Sequence, residues 1–489
     1  MIGKYFSNHW KISSPFPFVP LCALCGQTIP LQALRASAPP REHFSPSAPS
    51  ASPAPPLPKR FTAPPHSPLA TASRIRHALQ EQHARKGTTK KARQQLKAIL
   101  IVMDSVGIGS APDATAYGDA GASTLPHLSA AAGGLNAPTL RKLGLGNIPG
   151  LLPQKETITG CPPVDAPIAS WGAMREMSDG KDTITGHWEI AGLEVDPGFH
   201  NFPFTDSFPP DLIAAFEKET GRKLIGNKAA SGTEIIKELG EEHMRTGALI
   251  CYTSADSVFQ IAAHESIVPV PELYRCCEIA RRLCDPLRVG RIIARPFVGT
   301  CAADFKRTEN RKDFAYLPAE KTVLERLFDA GVPVYAVGKI EDIYCHRGIT
   351  ESIHTGNNVA SEALVSKWTQ EKESGLIVAN FIDYDMLYGH RRDADGYARS
   401  IEETDRWLAG YLPLLGPEDM LIITADHGND PTFKGTDHTR EYVPLIVYRP
   451  GRPGACLGIR KGFYDIAQSL AKFFSIPAMP RGASFIAYT

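Results

Sequence analysis

From Lys97 onward the chain repeats one pattern that leaves few folds open. A short continuous apolar run is followed by polar residues with glycine, and then by a stretch of helical period. The runs are "KAILIVMDSVGIG" from Lys97, "ALICYTSAD" (248–256), "VPVYAVGK" (332–339), "GLIVANFIDYD" (375–385), "DMLIITADHG" (419–428) and "YVPLIVY" (442–448). Apolar runs without polar alternation read as strands buried on both faces, the habit of parallel sheets. Helical patterns fill the gaps at 320–330, 359–372, 397–412 and 465–474. Strands alternating with helices imply an α/β fold with a mostly parallel sheet between helices.

The stretch 199–317 interrupts this order. It opens with "FHNFPFTDSFPP" and carries its own strands and helical patterns ("PDLIAAFEKETGRKL", "ELYRCCEIARRL"). The simplest account is an inserted smaller α/β cap over the sheet edge. The chain then divides into an extension (1–96), a first core part (97–198), the cap (199–317) and a second core part (318–489). At 489 residues it is long enough for such a division.

The extension differs in kind. Residues 1–97 hold 15 of the 41 prolines, and 14 Lys/Arg against 2 Asp/Glu. Proline denies helix and sheet, and little apolar area is present to offset ordering entropy, so the segment reads as disordered. Its basic, Ser-rich, acid-poor composition is also that of an organelle transit peptide. The alternative is a start codon placed too far upstream, which the composition favours. The remainder then carries 39 basic and 50 acidic residues. That mild acidity offers no broad basic surface for nucleic acid. No run of about 18 apolar residues exists to span a membrane. Among ten cysteines only Cys22 and Cys25 have metal-like spacing, and no second pair accompanies them. Thiols used for packing suit a reducing compartment, and a cytoplasmic protein is expected.

Oxygen and nitrogen ligands collect just past the strand ends: Asp104; Asp385 and His390; Asp426 and His427; Asp437 and His438. Ligands in open parallel sheets bind outside the carboxyl ends of the strands, so these segments are expected to converge. Carboxylate and imidazole without thiolate suit Mn²⁺, Zn²⁺ or Mg²⁺, with enough groups for two sites of three protein ligands each. One such cluster alone could be a helix cap or an ordinary surface histidine. Four together are hard to read that way. Two cations about 4 Å apart clamp the attacking and leaving oxygens of a phosphoryl group. Between them a threonine hydroxyl becomes a usable nucleophile. "GKDTITGHWE" (180–189) offers two, Thr183 and Thr185. Thr185, before Gly186 and a helical pattern, can serve as an N-cap or turn hydroxyl. The pattern alone gives Thr183 only a slight edge.

The motifs "DSVGIGSAPDA", "GKDTITGHWEIAGLEV", "GNKAASGTEII", "YTSADSVFQIAAHE", "GRIIARPFVG", "RTENRKD", "DMLYGHRRD" and "TADHGNDPTFKGTDHTREYVPL" closely resemble those of the phosphopentomutases of the alkaline phosphatase superfamily, from about Lys97 to the C-terminus. The resemblance implies an alkaline-phosphatase-like core with a cap. It implies interconversion of ribose 1-phosphate and ribose 5-phosphate, and of the 2-deoxyribose pair, through a phosphothreonine enzyme and a 1,5-bisphosphate. It implies two Mn²⁺ (with Mg²⁺, Co²⁺ or Zn²⁺ as alternatives) and a sugar bisphosphate such as glucose 1,6-bisphosphate as activator. By the same resemblance Asp104, Asp426 and His427 would hold one ion, and Asp385, His390 and His438 the other. Thr183 would be the phosphorylated residue, Asp256 would meet sugar hydroxyls, and Arg291, Arg307 and Lys339 would bind the distal phosphate. The residues alone leave both arginines open to being ordinary ion-paired surface groups. A cofactor-independent phosphoglycerate mutase or a metal-dependent phosphatase on the same core is the alternative enzyme. A metal-dependent binding protein without turnover is the alternative from another class. Small pentose phosphates are the expected partners, with no nucleic acid, membrane or obligatory protein partner.

Overall fold

Six of the seven residues Lys97–Met103 are buried, as a strand covered on both faces requires. The computed structural model describes residues 96–254 and 257–489. The basic extension, with Cys22 and Cys25, lies outside the described residues apart from its last residue, and so does Asp256.

Fourteen strands follow one another among the described residues: β1 (Lys97–Met103), β2 (Ser170–Met174), β3 (Leu224–Ala229), β4 (Leu249–Thr253), β5 (Val258–His264), β6 (Arg291–Val298), β7 (Lys306–Arg307), β8 (Lys312–Ala315), β9 (Val334–Val337), β10 (Glu351–Ile353), β11 (Gly375–Phe381), β12 (Met420–Thr424), β13 (Val443–Tyr448) and β14 (Cys456–Arg460). They form two sheets. An eight-stranded sheet runs β10-β9-β11-β1-β12-β13-β2-β14. A second sheet takes β3 to β8, contributed entirely by residues between Leu224 and Ala315.

The larger sheet is parallel across β10, β9, β11, β1 and β12. The apolar run 442–448 departs from the parallel pattern: β13 is antiparallel to both β12 and β2. Short β2 and β14, the latter with a register shift between Cys456 and Gly458, are too brief and too mixed in polarity to stand out in the sequence. The helical patterns of the sequence become Val323–Asp329, Asn358–Glu371, Ala394–Tyr411 and Asp465–Phe473.

Register places the chemistry. Met103 pairs with Phe381 and Val102 with Thr424, so β1, β11 and β12 end at one level. Asp104 follows β1 directly, and Asp426 follows β12 by two residues. Asp385 sits in a π-helical turn, Tyr384–Gly389, after β11. The His390 amide donates to the Asp385 carbonyl, 3.2 Å, and this i→i+5 bond brings two residues five apart onto one side of the turn.

One buried group makes stability depend on pH. Glu362 accepts from Thr404 Oγ1 at 2.7 Å, and burial pushes its carboxyl from 4.5 up to about 7. Between those values the folded chain holds a proton that the unfolded chain has released. Its contribution is therefore full below pH 4.5 and is lost as pH rises through 7. Glu362→Gln should flatten the fall, by on the order of 1 kcal/mol, in denaturant unfolding at pH 5 and 8.

Candidate active site

The helix Thr183–Ile190 begins at the candidate nucleophile. Asp182 is its N-cap, accepting from the amides of Ile184 (2.9 Å) and Thr185 (3.2 Å). Thr185 Oγ1 closes the capping box by accepting from the Asp182 amide at 3.2 Å. The helix thus starts before Gly186, and Thr185 is the third helical residue rather than the cap. Its hydroxyl is buried and committed to Asp182. Thr183 Oγ1 is not committed to the cap and lies 3.3 Å from Nε2 of His427. Gly186 lets the helix meet the backbone after β12, since a Cβ there would sit 2.1 Å from the Asp426 carbonyl oxygen.

Around Thr183 the predicted ligands gather. His427 Nε2 is 3.4 Å from Asp104 Oδ1 and 3.4 Å from Asp426 Oδ2. His438 Nε2 is 3.5 Å from Asp385 Oδ1, and His390 Nε2 is 3.1 Å from Asp385 Oδ2. The rings of His427 and His438 are 4.0 Å apart. Two groups have ligand atoms close enough to hold an ion: Asp104, Asp426 and His427; and Asp385, His427 and His438. His427 belongs to both, and His390 stands beside the second through Asp385.

The electrostatics fit divalent cations. Among the described residues, Asp104 Oδ1, Asp426 Oδ2 and His438 Nε2 are buried without a hydrogen-bond partner, which would be costly with no cation to face. Burial, then Asp426 and Asp385, push the Asp104 carboxyl well up. Burial also opposes ionisation of Asp385 and Asp426, but neighbouring imidazoles win: His390 and His438 hold Asp385 far down, and His427 and His187 hold Asp426 at about 2. The carboxylates raise His390 and His427 to about 9 in return. Among the described residues, no helix is long and apolar enough to cross a membrane.

The predicted phosphate binders fall on three elements, two of them strands of the second sheet. Arg291 lies on β6, 3.8 Å from Asp313, and exposed Arg307 lies on β7. Lys339 precedes the helical turn Ile340–Ile343 of the larger sheet's layer and is close enough to Asp104 to lower its carboxyl.

Several residues that hold the site were not singled out in the sequence. His187 is fully buried, with Nδ1 2.9 Å from the Thr183 carbonyl and 3.1 Å from Asp426 Oδ2. Asn429 donates to Asp385 (2.8 Å) and Asn380 to Asp104 (3.1 Å). Lys181 bridges Asp119 (3.0 Å) and Asp437 (3.2 Å). Buried Arg440 donates to the carbonyls of Glu176, Ser178 and Gly180, and pairs with the carboxylates of Asp113 and Glu176. It clamps the segment leading to Thr183 against the His438 loop. Its place two residues after His438 in "DHTREY" was the available signal. Arg440→Met would leave buried Glu176 uncompensated. We expect a loss of about 3 to 5 kcal/mol in denaturant unfolding.

Residues 96–478 match the model of the metalloenzyme superfamily. The chain is 52% identical over 392 residues to the phosphopentomutase of Anaeromyxobacter sp. (strain K), covering 80% of this chain and 98% of that protein. It is 52% identical to the phosphopentomutase of Caldanaerobacter subterraneus subsp. tengcongensis (80% and 97% covered) and 50% identical to that of Kosmotoga olearia (80% and 98%). With its core strands, its paired carboxylate and imidazole clusters and these relatives, the chain belongs to the phosphopentomutase family of the metalloenzyme superfamily.

Proposed function

We infer that the chain interconverts α-D-ribose 1-phosphate and D-ribose 5-phosphate, and the 2-deoxyribose pair, by way of a phosphorylated Thr183. The observation that carries the assignment of Thr183 is its hydroxyl, 3.3 Å from His427 at the centre of the ligand cluster, while Thr185 is spent on the helix cap. Asp104, Asp426 and His427 would hold one divalent ion and Asp385, His438 and His390 a second, with Mn²⁺ the ion proposed. Such ions neutralise charge on a phosphoryl group and favour an ionised threonine oxygen.

The residues do the rest. Phosphothreonine donates: the bond from Thr183 Oγ1 to phosphorus breaks, and a bond forms from phosphorus to a free hydroxyl of the bound pentose phosphate. The hydroxyl proton passes, in net, to Thr183 Oγ1. The 1,5-bisphosphate then returns its other phosphate by the reverse steps. A sugar bisphosphate such as glucose 1,6-bisphosphate would load Thr183 at the outset. The second sheet, as a cap spanning 199–317, would exclude the water that otherwise hydrolyses the phosphothreonine. Asp256 would meet the sugar hydroxyls, and Arg291, Arg307 and Lys339 the distal phosphate. The described cysteines are all free thiols, which supports a reducing compartment such as the cytoplasm.

Turnover of ribose 1-phosphate without turnover of 3-phosphoglycerate is the expected result, and the opposite pattern would overturn the substrate. Arg307→Ala should cut kcat/KM for ribose 1-phosphate by about tenfold or more while leaving the metal content of the purified protein unchanged.

A further inference from the structure

Glu441 is 1% exposed, and among the described residues no cation pairs with it. A buried carboxylate is costly unless donors meet it. Four reach it: Oε2 accepts from the amides of Gly109 (3.1 Å) and Thr124 (2.8 Å), and Oε1 from the hydroxyls of Thr124 (2.7 Å) and Thr439 (2.7 Å). Two glycines give it room, since a Cβ on Gly107 or on Gly428 would collide with the Glu441 carboxylate. These groups come from segments far apart in sequence. Gly107 and Gly109 follow β1, Thr124 opens the helix Thr124–Ala131, Gly428 follows β12, and Thr439 adjoins His438.

Each hydroxyl does two jobs. Thr124 Oγ1 donates to Glu441 and accepts from the Asn429 amide at 3.1 Å. Thr439 Oγ1 donates to Glu441 and accepts from the Asp430 amide at 3.3 Å. A carboxylate can only accept, so it fixes the direction of both hydroxyls. Two consecutive amides of the loop after β12 are thereby anchored. Gly428 and Thr439 also pair through backbone bonds of 3.1 and 2.8 Å. What hangs from this frame is one ligand group more than the other. Asn429 Nδ2 donates to Asp385 Oδ1 at 2.8 Å, and Asp385 and His438 share a group with His427. Asp104 and Asp426 are held outside the frame, by Asn380 (3.1 Å) and by the Ser105 amide (3.1 Å).

We propose that Glu441 is a positioning residue for the ion site of Asp385 and His438. Its carboxylate bonds no ligand and acts through Thr124 and Thr439. The proposal rests on the two-ion reading of the mutase and adds to it a residue that neither reacts nor ligates. Glu441→Gln would put an amide NH₂ where donors already point. Placed at Oε2 it would oppose two backbone N–H groups, so it takes the place of Oε1. There the threonine hydroxyls must reverse, and they lose the acceptor that orients them.

The test starts from the full chain loaded with Mn²⁺ and counts ions per chain by elemental mass spectrometry as a chelator is raised. Wild type should release its ions in two steps. Asp104→Asn and Asp385→Asn identify the steps, each weakening one of them. Glu441→Gln should weaken the Asp385 step roughly ten- to hundredfold, as the loss of a partner behind a ligand does, and move the other less than about threefold. Thr439→Val keeps the β-branched shape and deletes one hydroxyl. It should weaken the same step to a smaller degree, and Thr439→Ser should retain wild-type release. Thr439→Val also decides the matter should Glu441→Gln fail to fold. Wild-type release in either variant, or equal weakening of both steps, overturns the positioning role and leaves the mutase reading standing. A wild type that holds a single ion overturns the proposal together with the two-ion reading beneath it.

Discussion

Thr183→Ala is expected to abolish phosphate labelling of the 180–189 peptide and to lower mutase turnover by about a thousandfold or more, while Thr185→Ala keeps both. Removing a nucleophile deletes the covalent route, and what survives is binding and electrostatics alone. The two threonines are two residues apart yet do different work. Thr185 Oγ1 accepts from the Asp182 amide and donates back to Asp182, within the first turn of its helix. Its loss should cost about 1 kcal/mol of stability, as for a helix cap, and little chemistry. Thr183 Oγ1 faces His427. Mass spectrometry of the peptide from each variant reads the phosphate directly. Phosphate retained in Thr183→Ala and lost in Thr185→Ala would move the nucleophile and leave the ligand cluster as it is.

Chelation of metal should remove all turnover, and re-addition of Mn²⁺ should restore it. The stronger statement concerns pH. In the metal-free chain the carboxylates raise His390 and His427 to about 9, so both rings are protonated at neutral pH. An imidazolium cannot ligate, so loading an ion must expel these protons. Apparent metal affinity should therefore climb as pH rises from 6 towards 9, and calorimetry in buffers of different ionisation enthalpy should report proton release. A pH-independent affinity over that range would mean that the rings are already neutral and that the carboxylates do not control them. The same groups set a linkage in the metal-free fold. Because the folded-state values are raised, the stability they contribute is full below the ordinary imidazole value of 6.5 and is lost as pH rises through about 9. Bound metal should replace that dependence with one set by its own concentration.

Much of this candidate site is legible in the sequence. Unbroken apolar runs such as "KAILIVM" cannot hide their hydrophobicity on one face, so they had to be central strands, and the polar residues after them had to fall at strand ends. Asp104, Asp426 and His427 follow from that logic alone. What stayed hidden depended on pairing between distant segments. The antiparallel setting of β13 and the weak strands β2 and β14 are decided by neighbours, because five or six mixed residues have no strong preference of their own. The partnership of Asp385 with His390 needed a π-helical turn, which spacing alone does not announce.

The same division runs through the site. Sequence alone determined the α/β class, the types of the candidate ligands and the segment that offers the proposed nucleophile, since those depend on local composition and on period. Which threonine faces the cluster was settled by a capping box that consumes the other hydroxyl. That His427 stands between both ligand groups, that Arg440 ties the 176–180 segment to the His438 loop, and that Glu441 joins Thr124 to Thr439 were decided only by tertiary structure. Each joins residues brought together by sheet register and close packing, and a linear chain carries no local signal for contacts that exist only once the core has formed.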